Sequence, residues 1–254
     1  RTTGANPALF CVHPAGGFAT VYSNLADCLG DQQPVWALQA RGLEPDEELF
    51  VNLSEMVQAY IAAIRSIQPA GPYQLLGWSM GGTIAHEIAV RLEAEGEEVA
   101  LLAMLDTSAL APSLEEATPL DLETTLKDLL REQGISEDDI PEGREEQLLF
   151  LRELMIDRGL IPASVPIDWV ERVVTQMALA PRLLSEHEKG RCNTPVLMFR
   201  ASLGDISENP EAYNWQPYSG AGQVDIPIAA RHTAMLNQEP SAEIARRLAA
   251  YLLD

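Results

Sequence analysis

Outside residues 109–191, the chain alternates short apolar runs with amphipathic stretches. The apolar runs show no polar alternation, which is typical of strands buried on both faces of a parallel sheet. These runs lie at 8–12, 35–38, 73–76, 99–105, 195–199 and 224–228. Helical spacing of apolar residues marks Leu53–Ile67, residues 84–92 and the closing stretch 239–252. Strands alternating with helices predict an α/β fold: a mostly parallel sheet with helices on both faces.

The alternation of strand and helix patterns is interrupted between residues 109 and 191. The segment has no convincing strand, and amphipathic helical stretches lie at 122–130, 145–154 and 170–183. We therefore predict one domain, 1–254, that carries an inserted helical lid at 109–191. Prolines are expected to break this segment, called the insertion below, into short helices that move over the ends of the strands.

The run at 73–76 leads directly into Gly77-Trp78-Ser79-Met80-Gly81, which fits the pattern G-x-S-x-G. The pentamer by itself is a weak signal, but here a strand precedes it and an amphipathic helix follows it. That context predicts a sharp turn that exposes the Ser79 hydroxyl above a helix N-terminus. Ser79 is therefore the candidate nucleophile.

A serine nucleophile needs a base and an acid that orients the base. His232 follows the last strand, where the chain order Ser…Asp/Glu…His places the base. Asp106 and Asp205 each follow a strand at the carboxyl edge of the sheet, and chain order alone does not choose between them.

The other three histidines have structural interpretations. His13 is expected to order its loop by hydrogen bonding, His86 to be structural or on the surface, and His187 to be solvated. No residues show metal-ligand spacing or a nucleotide-binding loop, so neither a metal nor a cofactor is predicted.

An oxyanion hole needs two backbone N–H groups. Met80 directly follows the nucleophile, and Ala15 lies in the glycine-rich loop after the first strand, so these two residues are the candidates.

Charge and composition narrow the possible partners. The net charge is −21 and Lys127 and Lys189 are the only lysines, so no basic stripe is present for nucleic acid and no basic cluster for a membrane. Three scattered cysteines favour a reducing, cytoplasmic setting. Residues 1–6 lack the features of a signal peptide, and we expect them to be linker.

Taken together, these motifs resemble the type I thioesterase domains that close nonribosomal peptide synthetases and polyketide synthases, which have the α/β-hydrolase fold. The resemblance rests on Phe10–Gly17, Tyr73–Gly82, Leu105-Asp106 and Arg231-His232. In that family the acid follows the strand after the nucleophile helix, which favours Asp106. The whole chain also resembles a cyclodepsipeptide synthetase domain of the valinomycin type, although no motif carries that finer resemblance.

The resemblance implies an upstream carrier domain as partner, with the peptidyl or acyl thioester delivered on its phosphopantetheine arm. Ser79 is then acylated, and the chain is released by macrocyclisation, which the long insertion favours, or by hydrolysis. A stand-alone editing thioesterase or a small-molecule esterase is the alternative. A non-catalytic binding module on the same fold is a more remote one.

Overall fold

A computed structural model describes residues 3–112, 121–203 and 210–253. The strands are β1 (Leu9–Val12), β2 (Val35–Leu38), β3 (Tyr73–Trp78), β4 (Val99–Leu105), β5 (Val196–Ala201) and β6 (Gln223–Ile228). The α-helices are α1 (Ser23–Leu29), α2 (Leu53–Ile67), α3 (Met80–Ala94), α4 (Leu122–Glu132), α5 (Arg144–Asp157), α6 (Ile167–Ser185) and α7 (Gln238–Leu248).

The six strands form one sheet in the order β2-β1-β3-β4-β5-β6, and every neighbouring pair is parallel. All strands therefore end at the same edge. β1, β3 and β4 are adjacent, so the segments that follow them are brought together there. This confirms the predicted α/β fold.

Helices cover both faces of the sheet, as the apolar runs predict. Alternate residues of β1 belong to different core clusters: Leu9 and Cys11 pack with α1 and α7, whereas Phe10 and Val12 pack with α2 and α3. The same alternation continues along β4 and β5. Since both faces of β1, β4 and β5 are buried, these strands need no polar side, which explains their apolar sequences; β6, at the edge of the sheet, keeps Val224 and Asp225 exposed.

The sequence prediction missed one helix and placed the end of another too late. Helix α1 was not predicted, because its seven residues are too few to show a helical period. Helix α7 ends at Leu248 rather than at 252, and its buried positions end there as well.

The described part of the insertion contains α4, α5 and α6 and no strand. The expectation that prolines break it into short helices is wrong for α6, which runs for 19 residues with Pro181 inside it. Burial explains this difference: Ala180 and Leu183 are buried on either side of the proline, and their packing offsets the missing backbone hydrogen bond.

Helix α6 is also the part of the insertion that reaches both sides of the sheet. Val170, Val173 and Val174 pack in the cluster with Leu9, whereas Ala180 and Leu183 pack in the cluster with Phe10. No helix among the described residues is long and apolar enough to cross a membrane.

Candidate active site

Ser79 occupies the turn between β3 and α3. Its backbone has φ 57° and ψ −128°, a conformation that non-glycine residues adopt rarely and only where the surroundings enforce it. The Ser79 N–H donates to the carbonyl of Leu105 at 2.9 Å, which ties the turn to the end of the neighbouring β4. The side chain is half-buried at the carboxyl edge of the sheet.

Three glycines make this turn sterically possible. A Cβ at Gly77 would overlap the backbone of Gly81, and a Cβ at Gly81 would overlap the carbonyl oxygen of Val12. A Cβ at Gly82 would overlap the side chain of Thr107. The sequence Gly-x-Ser-x-Gly-Gly is therefore required by close contacts with β1 and with the segment after β4.

Asp106 follows β4 directly and its side chain is fully buried. Its own N–H donates to the carbonyl of Phe199 at 2.7 Å, and its Oδ1 accepts the N–H of Ala201 at 2.8 Å. Its Oδ2 lies 2.7 Å from Nδ1 of His232. Both carboxylate oxygens are thus bonded, and β5 fixes the position of the group.

His232 begins a short 3₁₀ helix, His232–Ala234, after β6, and its side chain is 29% exposed. Because an ionised carboxylate can only accept, Nδ1 of His232 must carry the proton that is donated to Asp106. Nε2 is then an acceptor, as a general base requires. The ring of Trp78 lies beside the imidazole, with centroids 5.5 Å apart.

Burial at this edge also affects Tyr213. Its side chain is almost fully buried, and burial raises the pKa of Tyr213 above its usual range, with the negative charge of Asp106 acting in the same direction. The phenol therefore stays neutral beside the carboxylate.

The glycine-rich loop after β1 is held by backbone and side-chain bonds. Gly17, with φ 83°, donates its N–H to the carbonyl of Pro14 at 2.9 Å and closes a tight turn. Buried His13 has Nδ1 2.7 Å from the same carbonyl and Nε2 2.5 Å from the hydroxyl of Tyr60. His13 thus orders its loop as expected.

Burial lowers the pKa of His13 to about 4, so the ring is neutral at pH 7. Since the Pro14 carbonyl can only accept, the proton lies on Nδ1, and Nε2 accepts from Tyr60.

The two candidate oxyanion residues lie on adjoining segments. Ala15 is half-buried in this loop, and Met80 is the first residue of α3. The contact of Gly81 with the carbonyls of Val12 and His13 brings the start of α3 against the base of the loop. The roles of Ala15 and Met80, like those of the proposed triad, stay predictions.

The remaining predicted positions lie elsewhere. His86 is buried, and its Nε2 lies 3.0 Å from the carbonyl of Tyr218. The expectation that His187 is solvated is wrong: the side chain is only 11% exposed, and Nε2 lies 3.4 Å from Oε2 of Glu87. The physical reason is that the segment after α6 folds back onto α3. Asp205 lies outside the described residues.

Sequence reasoning did not find Tyr60 or the N–H of Ala201 as partners in the site. Each contributes one group from a distant part of the chain, and no local pattern marks such a residue. Among the described residues, no group of three His, Cys, Asp or Glu side chains could hold a metal ion.

The family model described as thioesterase domain matches residues 7–166, which include Ser79, Asp106 and the glycine-rich loop. The chain belongs to the thioesterase domain family. It is accordingly a thioesterase domain.

Curated relatives are much longer proteins. The chain is 36% identical over 255 residues to a dimodular nonribosomal peptide synthase of Bacillus subtilis, an alignment that covers 99% of this chain and 11% of that protein. It is 49% identical over 228 residues to malpinin synthetase of Mortierella alpina, covering 86% of this chain and 3% of that protein. The chain thus spans a small part of these relatives.

Solved structures share the fold. A four-domain nonribosomal peptide synthetase matches with a TM-score of 0.79 and 24% identity, over 98% of this chain and 20% of that one. The Vlm2 thioesterase domain bound with a dodecadepsipeptide matches with a TM-score of 0.75 and 20% identity, over 100% of this chain and 97% of that one.

Proposed function

We propose that this thioesterase releases a peptidyl or acyl chain from the phosphopantetheine arm of an upstream carrier domain. The observation that carries the proposal is the 2.7 Å contact between buried Asp106 and His232, at the sheet edge where Ser79 occupies its strained turn. Ser79 follows β3, Asp106 follows β4 and His232 follows β6, so the proposed nucleophile, acid and base all come after strands that end at this edge.

In the first half-reaction, Nε2 of His232 takes the proton of the Ser79 hydroxyl while Oγ attacks the thioester carbonyl. The N–H groups of Ala15 and Met80 stabilise the tetrahedral oxyanion. The carbon–sulfur bond then breaks, the imidazolium returns its proton to the thiol, and an ester remains on Ser79. Asp106 stabilises the imidazolium while it exists.

In the second half-reaction, a hydroxyl or amine at the far end of the same chain attacks the ester. His232 takes its proton and returns it to Ser79, and a macrocycle leaves. Attack by water by the same route gives a linear acid. Intramolecular capture gains from proximity, provided that the site keeps water out.

The size of the insertion supports macrocyclisation over hydrolysis. α6 packs in both core clusters, and α4 and α5 pack on it, so the insertion is a three-helix unit joined to the body of the domain. The Vlm2 domain, whose structure contains a dodecadepsipeptide, has the same fold over the full length of this chain. A fold of this size is therefore compatible with a long bound chain.

The names of the curated relatives support the carrier-bound substrate. They are synthetases of which this chain matches 11% or less, as expected for one domain of an assembly line. A cytoplasmic location remains a prediction from the sequence.

The test uses two linear thioesters of pantetheine that differ at one end. One has a free terminal hydroxyl or amine, and its matched control has that group capped. We expect the macrocycle from the first and only the linear acid from the second, with the Ser79→Ala variant as the background.

Two outcomes would contradict the proposal at different levels. Linear acid from both substrates, over several chain lengths, would replace macrocyclisation by hydrolysis. Turnover of simple esters with none of pantetheine thioesters would contradict release from a carrier.

A further inference from the structure

The hydroxyl of Tyr22 lies between the two segments that carry the candidate oxyanion N–H groups. It donates to the carbonyl of Val12 at 2.5 Å and accepts the N–H of Trp78 at 2.9 Å. Tyr22 ends the 3₁₀ helix Ala19–Tyr22, and its side chain is 1% exposed. One buried hydroxyl therefore bonds two backbone groups that belong to different strands.

The two backbone groups bonded by Tyr22 lie where the pairing between β1 and β3 ends. Val12 is the last residue of β1 and pairs with Gly77 of β3, where the register between the two strands ends. Beyond this pair the strands separate, and the Tyr22 hydroxyl bridges them. Val12 lies three residues before Ala15, and Trp78 lies two residues before Met80.

We propose that Tyr22 is a positioning residue that sets the distance between the loop carrying Ala15 and the turn carrying Ser79 and Met80. The inference rests on the proposed roles of these three residues. An oxyanion hole works only when both N–H groups are aimed at one oxygen before charge develops, so a group that fixes their spacing contributes to the rate.

Two further observations support this role. Burial raises the pKa of Tyr22 well above its usual range, so the hydroxyl keeps the proton that it donates to Val12. The Tyr22 hydroxyl makes its two hydrogen bonds to backbone atoms of Val12 and Trp78, so they hold the strand ends themselves. Substitution by Phe therefore keeps the ring and removes only the bridge.

The experiment compares Tyr22→Phe with Tyr73→Phe. Tyr73 is a matched control because it is a fully buried tyrosine on β3, at the end of the strand remote from Ser79. The measurements are kcat and KM for a pantetheine thioester, and the Kd of an alkyl boronic acid. The boronic acid adds to a serine and places an oxygen where the oxyanion forms.

We expect Tyr22→Phe to lower kcat and weaken boronate binding by a similar factor of about 10 to 100, with KM changed less than about 2-fold, since only oxyanion contacts are affected. Tyr73→Phe should leave kcat and the boronate Kd unchanged. Replacement of Tyr22 by 4-aminophenylalanine, which keeps a donor and an acceptor, should restore most of both.

Several outcomes would overturn the inference. Unchanged boronate affinity in folded Tyr22→Phe would do so, as would an equal loss in Tyr73→Phe. If Tyr22→Phe does not fold, the 4-aminophenylalanine variant decides, because its weaker hydrogen bonds should weaken boronate binding about 3-fold, and no change would contradict the role. Failure of the proposed function gives a different result, because the wild-type protein itself would then bind no boronate at Ser79.

Discussion

The carboxyl edge of the sheet and the insertion are held in place by different kinds of interaction. At the edge, buried hydrogen bonds fix each chemical group, such as the carboxylate of Asp106, which bonds both Ala201 and His232. The insertion, by contrast, carries several ion pairs on its surface. Arg131 and Glu137 are typical, with 43% and 64% of their side chains exposed.

The difference is one of energy as well as position. Breaking a buried hydrogen bond leaves a desolvated group unpaired and costs about 1–3 kcal/mol, whereas an exposed ion pair contributes about 0–1 kcal/mol. The edge is therefore over-determined, as a preorganised site must be, and we predict that the insertion opens at lower cost. The predictions below test this contrast from the largest expected effect to the smallest.

The largest effect should come from the acid at the edge. Asp106→Asn keeps the shape of the side chain but removes the charge that orients and stabilises His232. We expect kcat for thioester cleavage to fall about 10³–10⁴-fold with the fold retained.

Asp225→Asn is the control for this variant, since Asp225 is exposed on β6 and accepts a hydrogen bond from the side chain of Gln223. Asp205→Asn is the comparison that decides the assignment. A greater loss of kcat in Asp205→Asn than in Asp106→Asn would show that the wrong acid was chosen.

The second effect concerns the pH dependence of stability. The pKa of His13 is lowered by burial from 6.5 to about 4, so on acidification the unfolded chain takes up the proton first. The contribution of His13 is therefore complete above pH 6.5 and lost as the pH falls towards 4, by about 3 kcal/mol in total.

The measurement is urea unfolding of the wild-type protein and of His13→Gln at pH 7 and pH 4. The wild-type protein should lose about 3 kcal/mol more than the variant between the two values. If the free energy of unfolding changed equally with pH in the wild-type protein and in His13→Gln, His13 would not be a buried neutral group. His86, whose pKa is also lowered by burial, is present in both proteins and cancels in the comparison.

Much of the edge could be predicted from sequence because its signals are local. The turn at Ser79 is formed by the consecutive residues 77–82, and each of its three glycines is required by a close contact. The strand before Asp106 is a continuous apolar run. No local signal distinguishes Asp106 from Asp205, since each follows a strand, and the family resemblance favoured Asp106.

The insertion was predicted less well, because its structure depends on contacts between distant residues. Prolines were expected to break the insertion into short helices, yet α6 continues through Pro181, whose neighbours are buried. His187 was expected in solvent, yet the fold brings it to Glu87, 100 positions earlier in the chain. Tyr22 illustrates the same limit at the edge, since nothing beside it in sequence marks its two backbone partners.

The third effect is a difference in local opening. The free energy of local opening should be at least about 2 kcal/mol lower for helices α4 and α5 than for strands β4 and β5. The reason is that α4 and α5 are held by surface ion pairs and by packing on α6, whereas the two strands lie in the centre of the sheet. Hydrogen exchange resolved by peptide measures this directly. Equally slow exchange in α4, α5 and the two strands would contradict the idea that the insertion is mobile.

The smallest effect should be found at α6, where the two regions meet. Gln176 is 5% exposed, and its amide donates to the carbonyl of Arg41 at 2.7 Å. Its side chain also lies against Gly17. Gln176→Met keeps the volume and leaves that carbonyl unpaired, so the free energy of unfolding should fall by about 1–2 kcal/mol.

Gln58→Met, at an exposed position of α2, is the matched control and should change stability by less than about 0.5 kcal/mol. Hydrogen exchange of α6 in Gln176→Met should approach that of α4 and α5. If hydrogen exchange of α6 were unchanged in Gln176→Met, apolar packing alone would hold the insertion against the rest of the domain.

The central claim is that Ser79 is the residue acylated at this edge. The direct measurement is mass spectrometry of the protein after brief incubation with a pantetheine thioester, followed by peptide mapping. Wild-type protein and the exposed-serine control Ser66→Ala should each gain one acyl group on the peptide containing Ser79, and Ser79→Ala should gain none while its circular dichroism stays unchanged. An acyl group that persists in folded Ser79→Ala, or that maps to another side chain, would contradict the account.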